Sequence, residues 1–307
     1  MLPGLCAGAL ALAVTVPSAQ AQQWAKDALA RSPRHGEFVT IHEPGGRNLQ
    51  AWVVYPETKG KAPVVVMIHE IFGQSDWARE MADEVAGAGY IVVEPDLLSG
   101  LGPAGGAPAT PSAPMDMSTM DHSHMSAATP GPAGTGAAFA PATPGGTAAF
   151  PDQGAVVKAV STLPDPQVMA DLDAAADYGK HLPSATGKLY VSGFCWGGGK
   201  SFLFATRRHD LAAAVVFYGP PPAAGLMPMI TAPVYGFYGQ SDARISATVD
   251  QTKLDMKAAG KTYEPVVYDD AGHGFMRAGE APDASAPNSA ARQAGFRAMI
   301  SVFGGVR

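Results

Sequence analysis

Cys195 stands in the stretch VSGFCWGGG, flanked by Gly193 and Gly197 in a G-x-C-x-G pattern between an apolar run and a helix-forming segment. A nucleophile held on so sharp a strand-to-helix turn needs glycine two residues before and after it, because side chains there would collide with neighbouring backbone. The turn also places sulfur at a helix N-terminus, where unpaired amides and the helix dipole favour a thiolate. The amide of the next residue, Trp196, is set to donate to an oxyanion. The competing reading is a small buried cysteine that happens to occupy a turn.

A thiol nucleophile needs a base, and only His209 and His273 follow Cys195. His209 falls near the far end of the helix that begins at the turn, roughly 20 Å away at about 1.5 Å per residue, out of reach of the sulfur. His273, in DDAGHGF, follows the last apolar run and lies in a loop at the carboxyl edge of the expected sheet. Asp242, in YGFYGQSD, follows an earlier run and is the candidate acid. Asp269 and Asp270 are rivals, but they sit so close before His273 that they read as closing the strand.

These residues require a frame. EFVTI and LQAWVVY around EPGGRN predict an antiparallel hairpin, and the unbroken apolar run APVVVMI predicts a strand covered on both faces. SDWAREMADEVAGAGY predicts a helix capped by Ser75, with Trp77, Met81, Val85 and Ala88 on its apolar face. Strand YIVVEPD follows, then helix DPQVMADLDAAADYGKHL with Val168, Leu172 and Ala175 inward, strand GKLYVSG, and the cysteine turn. A helix from GGKSFLFATRR, strands AAAVVFYG and APVYGFYG, a helix from SATVDQTKLDMKAAG, strand YEPVVYDD and a closing helix complete the series. Such alternation predicts an α/β fold with a mostly parallel sheet covered by helices on both faces. The chain order nucleophile, acid, base matches that of α/β-hydrolases.

HEIFG after the third strand, GFCWGGG at the turn, GQSD, and AGHGFMR together resemble the dienelactone hydrolase family across nearly the whole chain outside one insertion. The resemblance implies a Cys195, Asp242 and His273 triad that opens small esters or lactones through a thioester, without a cofactor for catalysis. It implies that Glu70 pairs with the thiol region and helps generate the thiolate, that Ile71 gives the second oxyanion amide, and that Arg277 holds a substrate carboxylate. The family's second substrate arginine has no counterpart, since no arginine occurs between Arg79 and Arg207. A clamp with one cationic arm binds a small dicarboxylate-like lactone less well.

The 307 residues are 47% hydrophobic and 16% charged, enough for one sizeable core. The net charge of −6, with no basic run, argues against nucleic acid or anionic membrane as partner and leaves a small ester or lactone. Residues 1–21 are uncharged, contain ALALAVTV and end in VPSAQA, which reads as a signal peptide cleaved after Ala21 and export to a bacterial periplasm. The mature chain, 22–307, is then one domain with Cys195 as its single cysteine, since Cys6 leaves with the signal. Residues 100–150, rich in Gly, Ala, Pro, Ser and Thr, read as a disordered insertion. Within it Met115, Met117, Met120, His122, His124 and Met125 form a soft-ligand cluster suited to copper. That cluster carries a rival reading, an exported copper-binding protein on a catalytically retired hydrolase scaffold.

Overall fold

The computed structural model describes residues 22–102 and 145–305. Eight strands form one sheet: β1 Gly36–His42, β2 Asn48–Val54, β3 Ala62–Ile68, β4 Ile91–Asp96, β5 Ala185–Phe194, β6 Leu211–Phe217, β7 Val234–Gly239 and β8 Tyr263–Tyr268. Their spatial order is β1-β2-β4-β3-β5-β6-β7-β8. The first two make the expected hairpin, β2 also pairs antiparallel with β4, and the remaining pairs are parallel. Chain order reverses around β3, so the crevice at the carboxyl ends of β3 and β5 is a switch point of the kind where ligands settle.

The helices are α1 Gln23–Arg31, α2 Asp76–Gly87, α3 Gln153–Ser161, α4 Asp165–His181, α5 Trp196–Ala205, α6 Ala243–Ser246, α7 Val249–Ala258, α8 Phe275–Ala278 and α9 Ala286–Gly305. Strand β3 shows why its sequence is continuously apolar. Val64, Val66 and Ile68 pack with Val168, Leu172 and Ala175 of α4 on one face. Val65 and Met67 pack on the other with Trp77, Met81 and Val85 of α2 and Met299 and Phe303 of α9. Full burial of each such side chain is worth roughly 1.5–3 kcal/mol, so a polar residue anywhere along β3 would cost the fold on one face or the other. Ser75 caps α2 by accepting from Ala78 N at 3.3 Å, but Ala88 falls just past the helix end and is exposed, because the turn at Gly89 already carries the chain away.

Several boundaries differ from expectation. Helices α1 and α3 were not anticipated, both being only nine residues long and the latter carrying a glycine and β-branched residues. The helix expected from Ser246 starts at Val249 as α7, and the four-residue α6 before it was not anticipated. The insertion is also shorter than 100–150. Gly145 bridges Ser99, and Thr147 donates its N–H and hydroxyl to Asp96 at 2.7 and 2.9 Å, so the stretch from Gly145 to Phe150 belongs to the domain. A buried carboxylate at the end of β4 needs donors, and this returning segment supplies them. The expected signal segment, residues 1–21, and residues 103–144, including the methionine and histidine cluster, lie outside the described residues. Among the described residues no helix is long and apolar enough to cross a membrane.

Candidate active site

The turn after β5 is built as the glycine spacing requires. Cys195 has φ +57° and ψ −118°, in the left-handed region that few side-chain-bearing residues occupy. A Cβ on Gly193 would overlap the carbonyl oxygen of Gly197, and one on Gly197 would overlap the carbonyl oxygens of Ile68 and His69. The strand end and the first turn of α5 therefore touch backbone to backbone, and Cys195 N–H donates to Phe217 O at 3.0 Å to hold the turn on β6.

Three strand ends converge on the sulfur. Cys195 Sγ lies 3.0 Å from Nε2 of His273, which follows β8. His273 Nδ1 lies 2.5 Å from Oδ2 of Asp242, which follows β7 and is 8% exposed. Asp269 and Asp270 stay out of this row. They belong to the turn that ends β8, where Asp270 adopts φ +56° and its N–H donates to the side chain of Gln240. The hydrogen bond to Cys195, with help from Asp242 and against partial burial, pushes the His273 pKa up to about 9. At neutral pH this geometry favours an imidazolium facing the sulfur.

Two backbone amides at the ends of β3 and β5 are unpaired among the described residues. Neither Trp196 N–H, in the first turn of α5, nor Ile71 N–H, just after β3, donates to another described residue. Unpaired amides at a helix start and a strand end are groups able to donate to a developing oxyanion.

Glu70, 2% exposed, is committed elsewhere than to the sulfur. Its Oε2 accepts from Arg277 Nε at 2.7 Å and its Oε1 from Tyr218 OH at 3.3 Å. Arg277, on α8, also lies over the Phe72 ring at 4.9 Å. The arginine offered by the sequence for a substrate carboxylate is thus already neutralised by a buried acid. Tyr218 was missed by sequence reasoning. It is fully buried at the end of β6 with φ +40°, and its ring packs edge-on against His273 at 5.1 Å. Burial, with Glu70 and Cys195 nearby, raises its pKa well above the ordinary value and keeps the phenol protonated as a donor. Its position directly after a parallel strand was the available signal. His69 was missed as well, and its ring stacks on Trp196 at 5.7 Å, so that Trp196 leans on the protein.

Comparison with known proteins identifies the family and the fold. Residues 49–306 match the model of the dienelactone hydrolase family. A Methylorubrum extorquens protein named "putative carboxymethylenebutenolidase" is 31% identical over 239 residues, 74% of this chain and 68% of its own. The carboxymethylenebutenolidase of Pseudomonas putida is 27% identical over 243 residues, 78% of this chain and 86% of its own. A Klebsiella pneumoniae structure, titled as a "putative dienelactone hydrolase", superposes with a TM-score of 0.66 at 26% identity, covering 88% of this chain and 98% of that one. With its α/β-hydrolase sheet and the match spanning nearly all of the described residues, the chain belongs to the dienelactone hydrolase family of carboxylic ester hydrolases.

Proposed function

We propose that the protein hydrolyses a small carboxylic ester or lactone through a thioester on Cys195. The observation that carries this reading is the row Cys195 Sγ, His273, Asp242, with separations of 3.0 and 2.5 Å, at a strained turn beside two unpaired amides. The thiolate attacks the carbonyl carbon, and negative charge gathers on the oxygen near the amides of Trp196 and Ile71. Collapse breaks the bond to the alcohol oxygen, which takes the proton from His273 Nε2 and leaves; in a lactone it stays tethered. Once sulfur is acylated, the main cause of the raised His273 pKa is gone, so the imidazole is free to remove a proton from water. Water adds to the thioester, sulfur departs as thiolate, and the acid is released. Asp242 holds the imidazole tautomer with Nδ1 protonated throughout.

The pairing of Arg277 with Glu70 favours neutral or singly charged esters over a dicarboxylate-like lactone. Initial rates on aryl esters, simple lactones and a dienelactone, for wild type and Cys195→Ala, test the reading. Activity that survives the substitution overturns it. Export with cleavage after Ala21 remains part of the proposal, and N-terminal sequencing of protein recovered from a bacterial periplasm tests it. Copper binding by the cluster from Met115 to Met125 is a separate property, tested by copper titration of the full chain against a variant lacking residues 103–144.

A further inference from the structure

The residue after β3, His69, is 1% exposed and takes no part in the triad. Its Nδ1 lies 2.7 Å from the carbonyl oxygen of Glu70. A carbonyl oxygen only accepts, so Nδ1 carries the proton and Nε2 is a bare acceptor, without a partner among the described residues. Burial lowers the pKa of this imidazole, outweighing the nearby Asp96 carboxylate, and the ring is neutral. The ring also stacks against Trp196, the planes 11° apart.

Those two contacts fall on the two turns that hold the unpaired amides. In a trans peptide the C=O of Glu70 and the N–H of Ile71 point to opposite sides of one plane. Holding the carbonyl with His69 Nδ1–H, and with Gly73 N–H at 3.1 Å, turns the Ile71 N–H the other way. Rotation of that plane would remove one donor and present a carbonyl oxygen in its place. We propose that His69 is a positioning residue for the oxyanion hole. It fixes the Glu70–Ile71 peptide through Nδ1–H and braces the Trp196 turn through its ring. The role rests on the acyl-transfer reading above.

Two substitutions separate donor from ring. His69→Phe keeps a ring against Trp196 and removes the donor; His69→Asn places a side-chain nitrogen near the Nδ1 position and removes the ring. Removing an oxyanion donor outright costs about 10²–10³ in kcat. With Gly73 still holding the carbonyl, His69→Phe is expected to lower kcat on a small aryl ester about 30-fold, KM changing less than about twofold. His69→Asn is expected to recover kcat to within about threefold of wild type. Alkylation of Cys195 by iodoacetamide needs the thiolate but no oxyanion hole, and stays at the wild-type rate in both. A crystal structure of His69→Phe shows the Glu70–Ile71 plane rotated, and His69→Leu serves as a second donor-free variant if the first does not fold. Unchanged kcat in the donor-free variant, equal losses in Phe and Asn, or alkylation falling in step with kcat each overturn the role. If the wild type hydrolyses no ester, the hydrolase reading fails by itself; an unrotated Glu70–Ile71 plane still overturns the role of His69, whatever the kinetics.

Discussion

The row Cys195, His273 and Asp242 and the cluster of Glu80, Glu84, Glu280 and Arg292 are both partly buried groups of ionisable side chains. In the second, Arg292 of α9 pairs with Glu84 of α2 and with Glu280, and Trp77 Nε1–H donates to Glu280 at 2.9 Å. Burial and the neighbouring carboxylates push Glu80 up to about 9, and burial, against the pull of Arg292, pushes Glu280 up to about 7. Protons are displaced from their ordinary pKa in both places. The difference is what surrounds them: a thiol on a strained turn with unpaired amides nearby in one case, a cation among carboxylates in the other. A perturbed pKa therefore marks a site only in company with a reactive atom and somewhere for charge to go.

The comparison breaks most sharply with Cys195→Ala, which is expected to lower ester hydrolysis by at least about 10³-fold with an unchanged melting temperature. Loss of the hydrogen bond to the Cys195 sulfur should also bring the His273 pKa down from about 9, which NMR titration of the imidazole reads directly. Asp242→Asn is expected to cost about 10³-fold in kcat with little change in KM, because the amide stabilises the wrong imidazole tautomer.

The pH profile follows from the sign of the shift. His273 keeps its proton up to about pH 9 and donates it to the leaving alcohol. For an alkyl ester kcat/KM should fall as pH rises through about 9, whereas a nitrophenyl ester, whose leaving group needs no proton, should show no fall there.

At the second cluster the effects should appear in stability and leave catalysis alone. Arg292→Leu removes the cation between buried acids and is expected to destabilise by about 3 kcal/mol in urea unfolding, with kcat within about threefold of wild type. Glu80 is raised in the folded state, so the folded chain binds more protons than the unfolded one between the ordinary carboxylate range and about pH 9. Its contribution to stability is thus full at low pH and is lost as pH rises through that window. Glu80→Gln should therefore gain stability at pH 8, on the order of 1 kcal/mol or about 2–4 °C, with little gain at pH 5. Activity losses at this cluster as large as those at Asp242 would erase the distinction.

Much of the frame was legible because its signals are local. The both-face burial of β3 shows as an unbroken apolar run, and the elbow as two glycines around one cysteine. Helices α1 and α3 were less legible because each is only nine residues long and is fixed by partners distant in the chain: Gln22, at the start of α1, accepts from Trp77 N–H of α2, and Val156 and Val160 of α3 enter the core beside β3 and α4. The end of the insertion was misplaced for the same reason: Gly145 and Thr147 look like the sequence before them until Ser99 and Asp96 are brought alongside.

By itself the sequence determined the class of fold, and it singled out the candidate nucleophile and the order of candidate nucleophile, acid and base, since each depends on residue type and spacing along one segment. The tertiary structure decided that Glu70 faces Arg277 across 207 positions, that Tyr218 closes over the same carboxylate, and that His69 touches both the Glu70 carbonyl and the Trp196 ring. Those contacts depend on which strands lie side by side and in what register. Strand order arises from packing the whole sheet between its helices, and no single segment encodes it.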